Sequence, residues 1–462
     1  MSRSRLTQLA LVNSAGLFPC LIAAMILSVC SLITDAQQQE VKKTPTDKLI
    51  ADQSEFANQN RWIYNDLDRA VKQSKTSGKP LLVVFRCVPC EACSHFDRQV
   101  IEPDRATSQL LDRFECVRIT QANGLDLGLF QFDWDQSFHV IFMDSNKHIL
   151  GRFGTRSFRP EDEDMTITGF QATMKAVLSL ASEPDQGLIR SLTEGKKAPT
   201  QPEFKRPELM PTLIGTYTST LAKSGNIARS CIHCHQIRDA QRNLTRKNGE
   251  DFDSKNLFPY PLPDTIGIRL SPDHESTVLQ IEKDSLADQA GLSPGDEILT
   301  ANGQRLLSPA DFQWVLHNAN DGDELRLTFQ RGQKAESVSI NLKPGWREKS
   351  DLSWRPTSWN FRRMTTGGLR LQGLTAEEQK SVGIDSGKMA LRVNHVGQYG
   401  EHAAAKKAGF QVGDIIVSVD GRSDLMRETD LFAYGVKRRK GEKLDVEVIR
   451  KGKPVTLKLP MQ

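Results

Sequence analysis

The stretch Ala290-Gly291-Leu292-Ser293-Pro294-Gly295-Asp296-Glu297-Ile298 returns downstream as Ala408-Gly409-Phe410-Gln411-Val412-Gly413-Asp414-Ile415-Ile416. Each copy runs through an apolar, strand-like stretch into a turn, Asn302-Gly303 and Asp420-Gly421, where the second residue tolerates positive φ. Each then closes on a hairpin, around Arg331-Gly332 and Lys451-Gly452. Two copies are too few to stack into a solenoid, so the repeat predicts two tandem β-rich domains, over roughly 262–345 and 366–460.

The shared pattern, A-G-[LF]-x-x-G-D-x-I-x-x-x-[ND]-G, resembles bacterial PDZ domains of the kind attached to HtrA-type proteases. The resemblance implies peptide binding by strand addition, with a terminal carboxylate held by backbone N–H groups of a glycine-bearing loop. In the first copy it points to Ile266, Gly267 and Ile268, with Phe312 and Leu316 lining the groove; in the second, to Gly367, Gly368 and Leu369. Neither G-x-S-x-G nor Gly-Asn-Ser-Gly-Gly occurs, so the PDZ units are not joined to a recognisable serine protease.

Of eight cysteines, Cys20 and Cys30 fall in the N-terminal apolar segment, and five of the other six form two tight clusters. Clustering argues for sites rather than a dispersed disulfide scaffold. The first cluster follows the apolar run Leu81–Phe85 and contains Cys90-Glu91-Ala92-Cys93. A strand leading into a helix places such a thiol at the positive end of the helix dipole, which favours the thiolate. Cys90 is then the attacking thiol and Cys93 the resolving one. Cys87 creates an overlapping motif, Cys87-Val88-Pro89-Cys90, which leaves the partner of Cys90 open and admits metal binding by three thiols. Cys116, within a predicted strand, reads as a buried core residue; His95 and His139 read as surface or core groups rather than acid–base catalysts.

Residues 60–182 read as a helix from about Trp62, strands over Leu81–Phe85 and Phe114–Ile119, a hairpin over His139–Phe153 and a closing helix, Gly169–Ala181. This order resembles the thioredoxin fold. Thioredoxins carry a cis-proline beside the dithiol; the alignment puts Phe138 there.

The second cluster, Cys231-Ile232-His233-Cys234-His235, has the spacing of c-type haem attachment: two thioethers and a histidine to iron. A helical four-residue step would put Cys231 and His235 on one face. Met210 and Met165 are candidate sixth ligands. A disulfide and a zinc site that includes His233 are the alternatives.

Arg3 and Arg5 precede the apolar stretch Leu17–Ile33, which predicts a signal peptide or an uncleaved anchor over 1–36 and an extracytoplasmic, periplasmic or secreted chain. Residues 37–59 and 183–207 read as linkers, 208–260 as a helical segment around the CxxCH, and 346–365 as a connector whose Trp346, Trp354 and Trp359 pack domains together. Net charge is only +4, and Lys437-Arg438-Arg439-Lys440 reads as a solvated helix end, so nucleic acid is not an indicated partner.

The fold class is multidomain α+β. The domain order resembles a bacterial family of thioredoxin-like/PDZ proteins, some with selenocysteine at the dithiol, which implies redox chemistry there. The function expected is an extracytoplasmic thiol–disulfide or electron-transfer protein that recruits a redox partner and other proteins through its PDZ pair. The alternatives are a non-catalytic peptide-binding scaffold with structural disulfides and a sensor in which dithiol state controls PDZ binding.

Overall fold

Leu81–Arg86 (β2) is buried along its whole length. Its unbroken apolar run is what a strand covered on both faces requires. In the computed structural model, which describes residues 43–57, 59–183, 185, 187, 201–222, 224–274 and 276–462, β2 pairs in parallel with Glu115–Ile119 (β3) and antiparallel with Phe138–Met143 (β4). Trp62–Tyr64 (β1) and Ile149–Phe153 (β5) complete a sheet of order β1-β3-β2-β4-β5. The export-signal reading of residues 1–36, and residues 188–200 of the expected 183–207 linker, lie outside the described residues. Among the described residues no helix is long and apolar enough to cross a membrane.

Two expectations at the start of this unit need correction. Part of the expected linker, Pro45–Ala57 (α1), is a helix that buries Leu49, Asp52 and Phe56. Its buried stripe includes a carboxylate, so hydropathy alone does not mark it. Trp62 opens a strand, not a helix, because parallel pairing with β3 overrides local preference. The helix follows as Leu67–Ser77 (α2), capped by the Asp66 side chain and ended at Gly78, φ 73°. After β2 come Ser94–Ile101 (α3) and Arg105–Leu111 (α4); Ile167–Ala181 (α5) closes the unit.

The sheet has a core on each face. Phe96, Phe142, Phe153 and Phe170 fill one. The other holds Phe85, Phe130 and Phe132 together with Ile232 and Ile237 from the CxxCH segment. That segment is therefore built onto the thioredoxin-like sheet rather than standing between linkers. It is also less helical than expected: the long helix begins only at Cys234 and runs to Asn248 (α6). Gly215 and Gly225 sit at φ 78° and 77°. The chain at Ile232 is held extended by Ile232 N–H to Asn123 Oδ1 (2.8 Å) and Ala122 N–H to the Ile232 carbonyl (2.9 Å).

The first PDZ unit contains Ile268–Leu270 (β6), Val278–Ile281 (β7), Glu297–Ala301 (β8), Gln304–Arg305 (β9), helix Pro309–Asn318 (α7), Glu324–Arg331 (β10) and Lys334–Asn341 (β11). After the connector helix Ser358–Thr366 (α8), the second contains Leu369–Gly373 (β12), Leu391–Val396 (β13), Ile415–Val419 (β14), helix Glu428–Gly435 (α9), Lys443–Arg450 (β15) and Lys453–Pro460 (β16). The structure explains the repeated Gly-Asp. Gly295 and Gly413 adopt φ 89° and 91°. Asp296 and Asp414 accept the Ser293 and Gln411 N–H groups at 2.8 and 2.9 Å. Each carboxylate then grips an arginine from the end of β10 or β15, Arg331 or Arg450, through two bonds of 2.7 Å.

Candidate functional site: the dithiol loop and the segment that covers it

β2 ends in a buried arginine that organises the loop after it. Arg86 Nη1 donates to the carbonyls of Cys87 (2.8 Å), Ala92 (3.1 Å) and Ser137 (3.1 Å), and Nη2 to Cys90 (2.9 Å). Its Nε donates to Asp97 at 3.0 Å. Asp97 is shared with Arg118, which also grips Asp52 of α1. A charge chain thus runs from the N-terminal helix to the cysteines, each buried member paired, as burial demands.

Held this way, Cys87 and Cys90 form a disulfide. The expected pair was Cys90 and Cys93. Cys93 instead caps α3 with φ 60° and is only 1 % exposed, so its sulfur faces inward, with Arg156 Nη1 3.8 Å away. Burial pushes the Cys93 thiol up, partly countered by the Ser137 hydroxyl and Arg156. Cys87 is the strand's last neighbour, its N–H bonded to the Ser137 carbonyl (2.9 Å), and Cys90 N–H turns back to the Cys87 carbonyl (3.0 Å). The Ser137–Phe138 backbone, where the cis-proline was sought, therefore flanks the disulfide directly. Cys116 is fully buried, as read from sequence. His139 lies buried and stacked on Phe132, its pKa pushed down to about 3 by burial and by Arg152, so it stays neutral; His95 is exposed.

The CxxCH segment packs on this loop. His233 Nδ1 lies 3.3 Å from Cys87 Sγ. The His233 ring stacks on His235, centroids 5.5 Å apart. Burial, aided by His235, pushes His233 down to about 4, so the ring is neutral at pH 7. Cys234 and His235 line a cavity of about 90 Å³ with Cys87, Cys90, Arg156 and Trp354. Burial pushes both Cys231 and Cys234 up to about 12.

These residues do not fit haem. Cys231 is 2 % exposed and Ile232 is wholly buried in the core of the sheet, so the segment between the two thiols is turned into the protein rather than presented to a planar macrocycle. Met165 and Met210 are core residues on opposite faces of the sheet. Sequence reasoning missed Arg86, His233 as a neighbour of Cys87, and Trp354. The Leu-Leu-Val-Val-Phe-Arg run was the available signal: a charge ending a fully buried strand needs a local partner.

The expected PDZ groove residues are also differently placed. Ile266, Ile268, Phe312 and Leu316 are buried in the first PDZ core, and Gly267 is the point where a side chain would run into Ser285. Helix α7 is buried all round over Ala310–Leu316 because its outer face docks on β5. Arg152 bonds Asp311 (3.3 Å) and stacks on Trp314, and Thr155 bonds Gln313 (3.1 Å).

In the second PDZ unit α8 packs between β12 and α9, where a peptide strand would lie. Phe361 stacks on Phe432 (5.5 Å between centroids), Arg362 grips Glu428 (3.0 and 2.6 Å), and Glu428 accepts the Leu371 N–H (2.8 Å). The Gly368 N–H, counted on for a ligand carboxylate, caps α8 through the Arg362 carbonyl (2.8 Å). Gly367 and Gly368 must be glycine because Ala405 and His402 crowd them; Leu369 is buried.

The fold and these two kinds of unit define the class, a thioredoxin-like domain joined to two PDZ domains. Comparison with known proteins agrees. A thioredoxin-like family profile matches residues 62–145, and a PDZ-domain profile matches 265–342 and 381–461. Over its PDZ region the chain is similar to a probable periplasmic serine endoprotease DegP-like from Pseudomonas savastanoi pv. phaseolicola, 26 % identical over 187 residues, 39 % of this chain and 37 % of that protein. It is also similar to the regulator of sigma-E protease RseP from Escherichia coli, 27 % identical over 208 residues, 44 % and 39 % of the two chains. A solved HtrA-type protease AlgW with decapeptide aligns at 18 % identity and TM-score 0.20, covering 41 % of this chain and 49 % of that one. The chain spans less than two-fifths of the length of these curated relatives.

Proposed function

We propose that this protein is an extracytoplasmic thiol–disulfide redox protein whose exchangeable couple is Cys87–Cys90 and whose PDZ units recruit polypeptide partners. One observation carries the redox reading: a disulfide at the end of the central strand with an imidazole nitrogen 3.3 Å from one sulfur. Cys90, more exposed than Cys87, is the sulfur a partner thiolate reaches. Its attack forms the mixed disulfide through Cys90 and expels Cys87 as thiolate. Neutral His233 with its proton on Nδ1 donates to that thiolate and lowers the cost of its departure. A second partner thiol then attacks the partner sulfur of the mixed disulfide, releasing Cys90 as thiolate and the partner as a disulfide; attack by Cys87 on Cys90 is the reverse step that restores the starting bond. The periplasmic character of the DegP-like relatives and the apolar stretch Leu17–Ile33 support an extracytoplasmic location.

The test is exchange of the reduced full chain with an acyclic model disulfide, glutathione disulfide, read by mass after alkylation. Cys90→Ser is expected to abolish exchange. Cys87→Ser should arrest it as a stable mixed disulfide on Cys90, while Cys93→Ser exchanges normally. Exchange that survives in Cys87→Ser and is lost in Cys93→Ser would return the couple to Cys90–Cys93.

Recruitment at the second PDZ unit requires α8 to leave its cleft, since peptide affinity falls in proportion to the open fraction. Phe361→Ala, which removes the ring stacked on Phe432, is expected to tighten binding of a fluorescent peptide with an apolar C-terminus by at least ~10-fold. Equal affinities by fluorescence anisotropy would show that α8 does not guard the site.

A further inference from the structure

We infer that the reduced form of this site is a redox-gated binding site for a soft d10 cation, copper(I) or zinc(II), held by Cys87, Cys90 and His233. The proposal deepens the redox assignment above and rests on Cys87–Cys90 being the exchangeable pair. Among the described residues these three supply one ligand atom each, all within 4.8 Å of one another. Here the two sulfurs are joined as a disulfide with His233 Nδ1 3.3 Å from Cys87 Sγ; once that bond is reduced, a small parting of the sulfurs brings the set to the spacing that one ion with metal–sulfur bonds near ~2.3 Å and a metal–nitrogen bond near ~2.0 Å requires. Two thiolates and an imidazole select soft or borderline cations over magnesium or calcium.

The donors come from chain segments far apart in sequence, and both are fixed. The cysteine loop is clamped by Arg86 through four carbonyls. His233 is set by its own N–H to Gln236 Oε1 (2.8 Å) and by the extended backbone at Ile232. Such supports keep a three-donor set aligned without the ion. Cys234 lines the cavity beside Cys87 and Cys90 but lies outside the three-donor group, so the protein supplies three donors, which satisfy copper(I) and leave zinc a position for solvent.

Oxidation state gates the site because a disulfide sulfur has no thiolate to give. A dithiol partner transfers two electrons and two protons to the Cys87–Cys90 bond, becoming a disulfide itself. The two new thiols then lose their protons to solvent as the cation binds. Reoxidation by a partner disulfide, which takes the two electrons and, with two protons from solvent, leaves as a dithiol, forms the sulfur–sulfur bond and expels the ion.

The full chain, reduced with a phosphine that is then removed, is titrated anaerobically with copper(I) against bicinchoninate and separately with zinc(II) against a chromophoric chelator. One equivalent of one cation is expected to bind the reduced protein, and none the disulfide form. His233→Asn, which keeps a side chain able to cap α6, should weaken binding at least ~10-fold. Cys116→Ala should bind as the parent does. Equal uptake by reduced and oxidised protein, no uptake by either, or unchanged affinity in His233→Asn overturns the proposal. Dithiol exchange measured on the metal-free protein separates this failure from failure of the redox assignment: exchange without metal uptake sinks only the cation site.

Discussion

Arg86→Met is expected to lower hydrogen-exchange protection in the 86–94 loop by roughly a hundredfold or more, the equivalent of about 3 kcal/mol. The wild-type guanidinium is the common donor to the carbonyls of Cys87, Cys90, Ala92 and Ser137. Methionine fills similar volume and offers no N–H, so those carbonyls lose a donor where water has little access. Asp97 keeps Arg118, which limits the loss to the low end of what breaking a buried pair costs. The functional consequence follows from the same bonds: a loosened loop no longer fixes Cys90 beside Cys87, and the rate of disulfide reduction should change with it. Lysine at this position keeps the charge but cannot span four carbonyls, so Arg86→Lys should fall between the two. Protection within a few-fold of the parent, with unaltered reduction kinetics, would show that the loop holds itself.

The parts of this molecule that sequence exposes are those fixed by neighbours along the chain. The glycines and aspartates of the repeat are required by left-handed turns and by an arginine at a set distance in the same domain. The apolar run of β2 reports burial on both faces. What sequence hides depends on contacts made across the fold. Cys87 and His233 meet over 146 residues, and CxxCH read alone looks like a haem motif because nothing local shows that Ile232 belongs to the sheet's core. Helix α1 escapes notice for a related reason: its buried face includes Asp52, whose value lies in Arg118 on a distant strand. The groove residues illustrate a third cause. Their types suit peptide binding, but those same apolar types also suit internal packing, and only tertiary context decides.

Arg355→Leu should release the connector from the thioredoxin-like domain and expose the dithiol. Arg355 Nη1 bonds both oxygens of Asp133 at 2.7 Å and Asp135 at 3.1 Å, and Nη2 bonds the Pro259 carbonyl at 2.9 Å. Its neighbours Trp354 and Pro356 form a wall of the dithiol cavity, so the residue that anchors the connector also sets access to the sulfurs. Removing the cation leaves two buried carboxylates side by side, a loss of about 3–5 kcal/mol for the docked state. Faster alkylation of reduced Cys90 by iodoacetamide, and proteolytic cleavage within 346–358, are the expected readouts. Much of that loss is charge left unpaired rather than attraction forgone. Asp133→Asn added to Arg355→Leu should therefore recover part of it, and the double variant should be more protected than Arg355→Leu alone. If the single variant is alkylated and cleaved no faster than the parent, the connector is held by its tryptophans and the ion cluster is incidental to docking.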